Sequence, residues 1–354
     1  MSKFLAEALQ SLTPYTPGEQ PQGGAFIKLN TNENPYFPSR YAVSKITEKT
    51  LDDLRLYSDP TSADLRGSIA AHYGVSAKNV AVGNGSDEIL AFAFRAFAQN
   101  GACFPDITYG FYKVFAALFG AEAEEIPLNA DFTVDIKKYF NKNKCVVLAN
   151  PNAQTGIALP LSAIEEIVRS NPENVVVIDE AYVDFGGESA AELIGRYDNL
   201  LVVQTFSKSR SLAGARVGFA LGCESLISDL ERVKYSFNPY NVNRLSALLA
   251  GAAMEDKSYF SDSVEKIKRT REETARELKT MGFTVLSSSA NFLMASCDRI
   301  GGGKLYEELK ARGVLVRHFG DERIENFVRV SIGTPEQMRV FLQKTKEILD
   351  GKKG

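Results

Sequence analysis

The sequence predicts an α/β protein whose larger part is a mostly parallel sheet covered by helices and whose last part is a smaller α+β unit. Three observations carry that reading. Continuous apolar, β-branched runs at 144–149, 174–178 and 199–204 alternate with helical segments, as strands buried on both faces do. Polar residues stand just past the end of one run after another, where open sheets of this kind bind ligands. From residue 283 onward, short strands separated by helices take over.

Composition narrows the class. At 354 residues, with 44% hydrophobic content, the chain has room for two domains and a sizeable core. The expected division is an N-terminal helix and arm at 1–40, a large ligand-binding domain at 41–245 and a small domain at 246–354. A formal net charge of −3 gives no basic field for nucleic acid or an anionic membrane. The four cysteines, Cys103, Cys145, Cys223 and Cys297, form no paired pattern, and the two histidines, His72 and His318, leave no histidine-rich metal site. No apolar run approaches the ~20 residues of a membrane span, and no charged-then-apolar leader opens the chain. A soluble cytoplasmic protein is expected.

In order, residues 2–11 carry apolar positions at helical spacing, and a Pro/Gly-rich arm follows. Within the arm, KLNTNENPYFPS (28–39) reads equally as a turn-rich linker or as an irregular strap over a site. A turn at 57–60, a helix at 63–73 and a short strand at 80–82 lead to GNGSDE. There Gly83 and Gly85 make a bend and Ser86 or Asp87 opens an apolar, buried helix. That start is either an ordinary capped core helix or an anion site formed by free amides. A strand at 102–104, Tyr109, an apolar helix at 111–119 and the strands at 144–149, 174–178 and 199–204 come next. A strand at 217–221, helices at 224–234 and 243–254, and a long charged helix at 256–281 follow. Pairs Asp262 with Lys266 and Glu265 with Arg269 are expected on its solvated side. Strands at 283–286, 291–295, 313–316 and 326–332, a helix at 304–312 and a Thr334 capping box opening the final helix complete the chain.

The stretch TFSKSRSLAGARVGF (205–219) sets Ser207, Lys208 and Arg216 where a buried strand ends. Such a lysine is either a solvated side chain or an amine able to form a Schiff base with an aldehyde, with Arg216 clamping a phosphate. Ser86, Tyr109, Asn152, Asp179, Tyr182 and Lys208 all follow a strand's carboxyl end, so one sheet edge gathers them. Asp179 ends an apolar strand and needs a cation. Arg317 and Arg329 interrupt apolar strand ends and read as salt-bridged surface residues or as anion ligands.

With these motifs in view, the chain resembles the fold-type I aminotransferases that use pyridoxal 5'-phosphate, and among them the histidinol-phosphate aminotransferase family. LNTNENPYFPS, YSDP, GNGSDE, NPNAQTG, DEAY, TFSKSRSLAGARVGF and VRVSIGT carry the resemblance over nearly the whole length. It implies Lys208 as the catalytic Schiff-base lysine, Asp179 as partner of the ring nitrogen, Asn152 and Tyr182 at the ring's phenolic oxygen, and Tyr109 stacked on the ring. It further implies Ser86, Asp87, Ser207 and Arg216 at the phosphate, with Tyr57 reaching over from a second subunit, hence a homodimer. Tyr15, Asn34, Arg317 and Arg329 are implied at the substrate's own phosphate, with a small-molecule amino donor and a 2-oxo acid as partners. Gln154 and Phe37 stand where the family commonly has proline and glycine. The nearest rivals are an aromatic or other amino-acid aminotransferase and a threonine-phosphate decarboxylase on the same scaffold. A non-catalytic, cofactor-sensing protein is the rival from another class.

Overall fold

A computed structural model describes residues 2–20 and 26–351, so 21–25 of the arm lie outside the described residues. Thirteen strands occur among them: β1 (Ile27–Lys28), β2 (Val80–Gly83), β3 (Ala102–Pro105), β4 (Ala123–Ile126), β5 (Cys145–Ala149), β6 (Val176–Asp179), β7 (Leu200–Thr205), β8 (Gly218–Gly222), β9 (Thr284–Val285), β10 (Phe292–Ser296), β11 (Val314–Leu315), β12 (Arg317–His318) and β13 (Phe327–Ser331). Seven form one sheet in the order β2-β8-β7-β6-β5-β3-β4. Every neighbouring pair is parallel except those made by β8, which runs antiparallel to both β2 and β7.

The apolar runs become strands because each has a buried layer on either side. Val146, Leu148, Val176, Ile178, Leu200 and Val202 enter one core, while Cys145, Val147, Val177, Leu201 and Val203 enter the other. This is the period of two of a pleated strand, applied to a run with no polar face. Helices Ala63–Tyr73 and Leu161–Ser170 pack on the first face, and Ser86–Phe97, Phe111–Phe119 and Glu224–Phe237 on the second.

A four-stranded antiparallel sheet, β12-β13-β10-β9, forms the smaller C-terminal layer. The 24-residue helix Lys257–Thr280 buries Val264, Ile267 and Leu278 against it. Its Arg271 donates to the carbonyls of Phe185 (2.9 Å) and Ala290 (2.8 Å) and so ties this layer to the loop after β6. The expected i,i+4 pairs are not the ones formed: Glu265 takes Lys268 at 2.6 Å, and Lys266 lies over the Tyr36 ring.

Two other differences have physical reasons. Residues 2–11 form only the 3-10 turn Glu7–Leu9, with no buried residue, because a short amphipathic segment needs a core to hold it. The edge strand β4 escaped the sequence reading because its AEEI has no apolar run. It is held by backbone pairing to β3 and by Lys113 and Lys142, each 2.5 Å from one of its glutamates.

The arm does become a strap. β1 pairs in parallel with β11, then Asn32 donates its amide to Ser331 Oγ at 2.8 Å and accepts from that hydroxyl through Oδ1 at 2.8 Å. No helix among the described residues is long and apolar enough to cross a membrane.

Candidate active site

Because β5, β6 and β7 run parallel, their carboxyl ends open at one edge, and the strap closes over it. The result is a cavity of about 340 Å³ whose wall includes Ser86, Asp87, Tyr109 and Asp179. Tyr182, Ser207, Lys208 and Arg216 share that wall.

Lys208 follows β7. The turn is fixed by Thr205, whose Oγ1 accepts from the Ser207 amide (3.1 Å) and donates to Ser207 Oγ (2.9 Å). Its Nζ donates to the Thr31 carbonyl at 3.1 Å and stands 5.8 Å from the centre of the Tyr182 ring. Burial, then the positive charge of Arg329, pushes its pKa down to about 8, with Glu33 and Asp87 opposing. The amine is therefore expected to react as a neutral nucleophile near physiological pH. In the cofactor-free protein, the acylation rate of Lys208, followed by peptide mass analysis, should climb with pH through a midpoint near pH 8 and then level off. Surface lysines should keep climbing toward ~10.4. A Lys208 midpoint at the surface value would contradict the geometry.

Asp179 ends β6 and is buried. Oδ2 accepts from Tyr112 Oη at 2.7 Å and Oδ1 from the Ala181 amide at 3.3 Å. Burial outweighs both bonds and pushes its pKa up to about 6.

Opposite lies an anion cradle. Gly85, at φ 81°, precedes helix Ser86–Phe97, and β8 presses so close that a Cβ on Gly218 would sit 2.3 Å from the Ser86 nitrogen. Arg216 adopts the left-handed conformation at φ 52° and lays its guanidinium over Gly85, where a Cβ would meet Nη2 at 2.5 Å. The same Nη2 pairs with Asp87 Oδ2 at 3.0 Å, and Tyr109 Oη donates to Asp87 Oδ1 at 2.7 Å. Asp87 thus spends its carboxylate on the cradle's frame and leaves the amides of the helix start for an anion.

The other predicted residues are placed differently. Asn152 is adjacent but occupied by backbone: its amide donates to the Ile107 carbonyl (2.9 Å), and its oxygen accepts from Gln154 and Thr155 amides. Asn34 clamps the strap on the lysine loop by donating to the carbonyls of Lys208 (3.0 Å) and Ser209 (3.2 Å). Tyr182 Oη accepts from Asn32 Nδ2 at 3.1 Å. Tyr15 stacks on Phe111 with ring centres 4.3 Å apart. Burial raises its pKa against the pull of Arg329 and Arg317. Arg317 and Arg329 face each other across β12 and β13. Arg317 donates to the carbonyls of Thr16 and Pro17. Arg329 donates to Ala153 O at 2.9 Å, lies over the rings of Phe292 and Phe319, and leaves a buried Nε without a partner among the described residues. Tyr57 stands outside the cavity, 80% exposed and stacked on Tyr240.

Sequence reasoning missed Tyr112, read as part of an apolar helix, and Thr31, Asn32 and Glu33, read only as strap. The run Thr31-Asn32-Glu33-Asn34 was the available signal: consecutive polar side chains in a segment too irregular to be an exposed helix.

A lysine of lowered pKa, a buried carboxylate and a glycine-bounded helix start beside an arginine at the carboxyl edge of this sheet suit the chemistry of an aminotransferase. The chain belongs to that family: residues 25–344 match the aminotransferases of class I and II. It is 51% identical to the histidinol-phosphate aminotransferase of Brachyspira hyodysenteriae, with 99% of each chain covered. It is 50% identical to that of Clostridium acetobutylicum, covering 99% of this chain and 100% of the relative. The crystal structure of a histidinol-phosphate aminotransferase from Sinorhizobium meliloti in complex with pyridoxal 5'-phosphate shares the fold. Its TM-score is 0.83 at 24% identity, over 92% of this chain and 91% of that one.

Proposed function

We propose that this protein is a pyridoxal 5'-phosphate-dependent aminotransferase of histidine biosynthesis. Its reaction exchanges histidinol phosphate and 2-oxoglutarate with imidazole acetol phosphate and glutamate. The observation that carries the reaction class is the Lys208 amine, near-neutral in pKa, on one cavity wall with Asp179 and the Arg216 cradle. The substrate rests on full-length identity to two histidinol-phosphate aminotransferases.

The residues fit the cofactor. The backbone at Gly85 admits no side chain beneath the Arg216 guanidinium, as a phosphate seat requires, and Asp179 lacks the cation that a protonated ring nitrogen would supply. When bound, pyridoxal 5'-phosphate supplies a ring that accepts the electrons left by a departing α-proton. Lys208 would hold the cofactor through Nζ and, when freed by the amino donor, would carry the substrate's α-proton at that atom and return it. Asp179 holds positive charge on the ring nitrogen. Ser86, Ser207 and Arg216, with the backbone amide of Asp87, would hold the phosphate, Tyr109 would cover the ring face, and Tyr182, with the second amide hydrogen of Asn152, would serve its phenolic oxygen. Arg329 and Arg317, with Tyr15, receive the substrate's anion, and Asn34 holds the strap beside them by its bonds to the lysine loop. The fork of Arg329 suits a phosphate in one half-reaction and a carboxylate in the other.

The reading also takes the chain as a cytoplasmic homodimer, with Tyr57 completing the partner's phosphate seat. The support is an apolar patch left open at Leu51 (50% exposed), Leu54 (50%), Leu56 (48%) and Tyr57 (80%). Residues 1–40 serve as the arm, 41–245 as the cofactor domain and 246–354 as the small domain.

The test is the visible spectrum of the holoenzyme as histidinol phosphate is added without an oxo acid. Loss of the lysine-linked band, reversed by 2-oxoglutarate, is expected. A response to phenylalanine alone would move the substrate to the aromatic amino acids, and release of carbon dioxide would mark a decarboxylase.

A further inference from the structure

Asp179 and Glu180 are consecutive buried carboxylates with opposite provision. Glu180 receives the Ser189 hydroxyl (2.6 Å), the Ala190 amide (2.6 Å) and the Gln204 amide (2.8 Å), which is enough to satisfy it inside the core. Asp179 has one strong donor, Tyr112 Oη on Oδ2, and one long contact from Ala181 on Oδ1. Oδ1 is the oxygen with capacity left for a cation.

Tyr112 is itself fully buried, in the first turn of helix Phe111–Phe119. Its ring is held edge-on by Tyr109 (5.7 Å, 85°) and stacked by Phe94 (6.2 Å, 28°). A phenylalanine would satisfy that packing, whereas a buried hydroxyl costs free energy unless bonded. The hydroxyl bonds the Asp179 carboxylate, and as a donor it favours the ionised form.

We propose that Tyr112 is a positioning residue for the reaction. Its hydroxyl pins Oδ2 of Asp179, keeps the carboxylate ionised and turned, and commits Oδ1 to the ring nitrogen. This rests on the reading of Asp179 as the partner of that nitrogen. The groups facing Asp179 are Tyr112, the Ala181 amide and the charge of Asp87. Those facing Lys208 are Arg329, Glu33, Asp87 and Arg216.

Tyr112→Phe holoenzyme tests it. Removing a hydrogen bond to a charged group should weaken equilibrium binding of pyridoxal 5'-phosphate about tenfold. It should also lower kcat about tenfold, with the KM for histidinol phosphate unchanged. With less charge held at the ring nitrogen, the nitrogen joining Lys208 to the cofactor is easier to protonate, so the pH midpoint of the visible band should rise. In an Asp179→Asn background the same substitution should change cofactor affinity less than about twofold, since the two act as one unit. Wild-type affinity and an unmoved midpoint in Tyr112→Phe, or an equal loss in both backgrounds, would overturn the inference while leaving Asp179 in its role. Wild-type affinity in Asp179→Asn would overturn both. The thermal midpoint of the cofactor-free variant checks that the ring packing is intact, and a collapsed midpoint would assign Tyr112 to the core and overturn the proposal.

Discussion

Replacing Lys208 by alanine is expected to lower kcat by about 10⁴-fold or more and to abolish the visible band of the lysine-linked cofactor. The same amine serves as covalent anchor and as proton carrier, so both functions vanish together. The cradle around Gly85 and Arg216 is untouched, and the variant should still bind pyridoxal 5'-phosphate noncovalently. Stopped-flow turnover and an absorbance scan of the dialysed protein check this. Normal turnover would remove Lys208 from the mechanism.

The second large effect is expected at Arg329. Its guanidinium lies against two phenylalanine rings, and burial pushes its pKa down, yet its buried Nε has no partner among the described residues. A buried cation in that state gains most from an incoming anion. Arg329→Ala should raise the KM for histidinol phosphate and for 2-oxoglutarate by about 100-fold each, the range of 2–5 kcal/mol for truncating a buried charge pair. The cofactor band should persist, because Lys208 is left in place. Steady-state kinetics with each substrate varied in turn decide it, and unchanged constants for both would end the assignment.

The central strands were legible because they are buried on both faces and carry apolar residues until their carboxyl ends. β4 and the early helices Arg40–Ser44 and Glu48–Asp52 were not, since their stability comes from pairing and capping rather than from an apolar run. The residues on the cavity wall were legible where they follow a strand end, as Asp179 and Lys208 do. Tyr112 was invisible because its role depends on its hydroxyl reaching Asp179 at the end of β6, 67 residues away in sequence, which no local pattern encodes. Asn34 and Asn152 illustrate the opposite limit. Residue type placed them beside the site, while only the geometry revealed that each spends its amide on backbone carbonyls.

The strap joins the beginning of the chain to its end. β1 lies against β11, and Asn32 meets Ser331 across 299 residues of sequence. Contacts of that separation form late, because the closure entropy of so long a loop must first be overcome by the rest of the fold. A growing polypeptide on the ribosome can complete the seven-stranded sheet and the lysine loop before residue 314 emerges, with Asn34 and Asn32 already within reach of Lys208, Ser209 and Tyr182, while the pairing with β11 and the contact with Ser331 must wait. A truncated synthesis product would therefore carry the sheet with its strap held at one side only, by Asn34 and Asn32, and without the strand pairing that fixes the other.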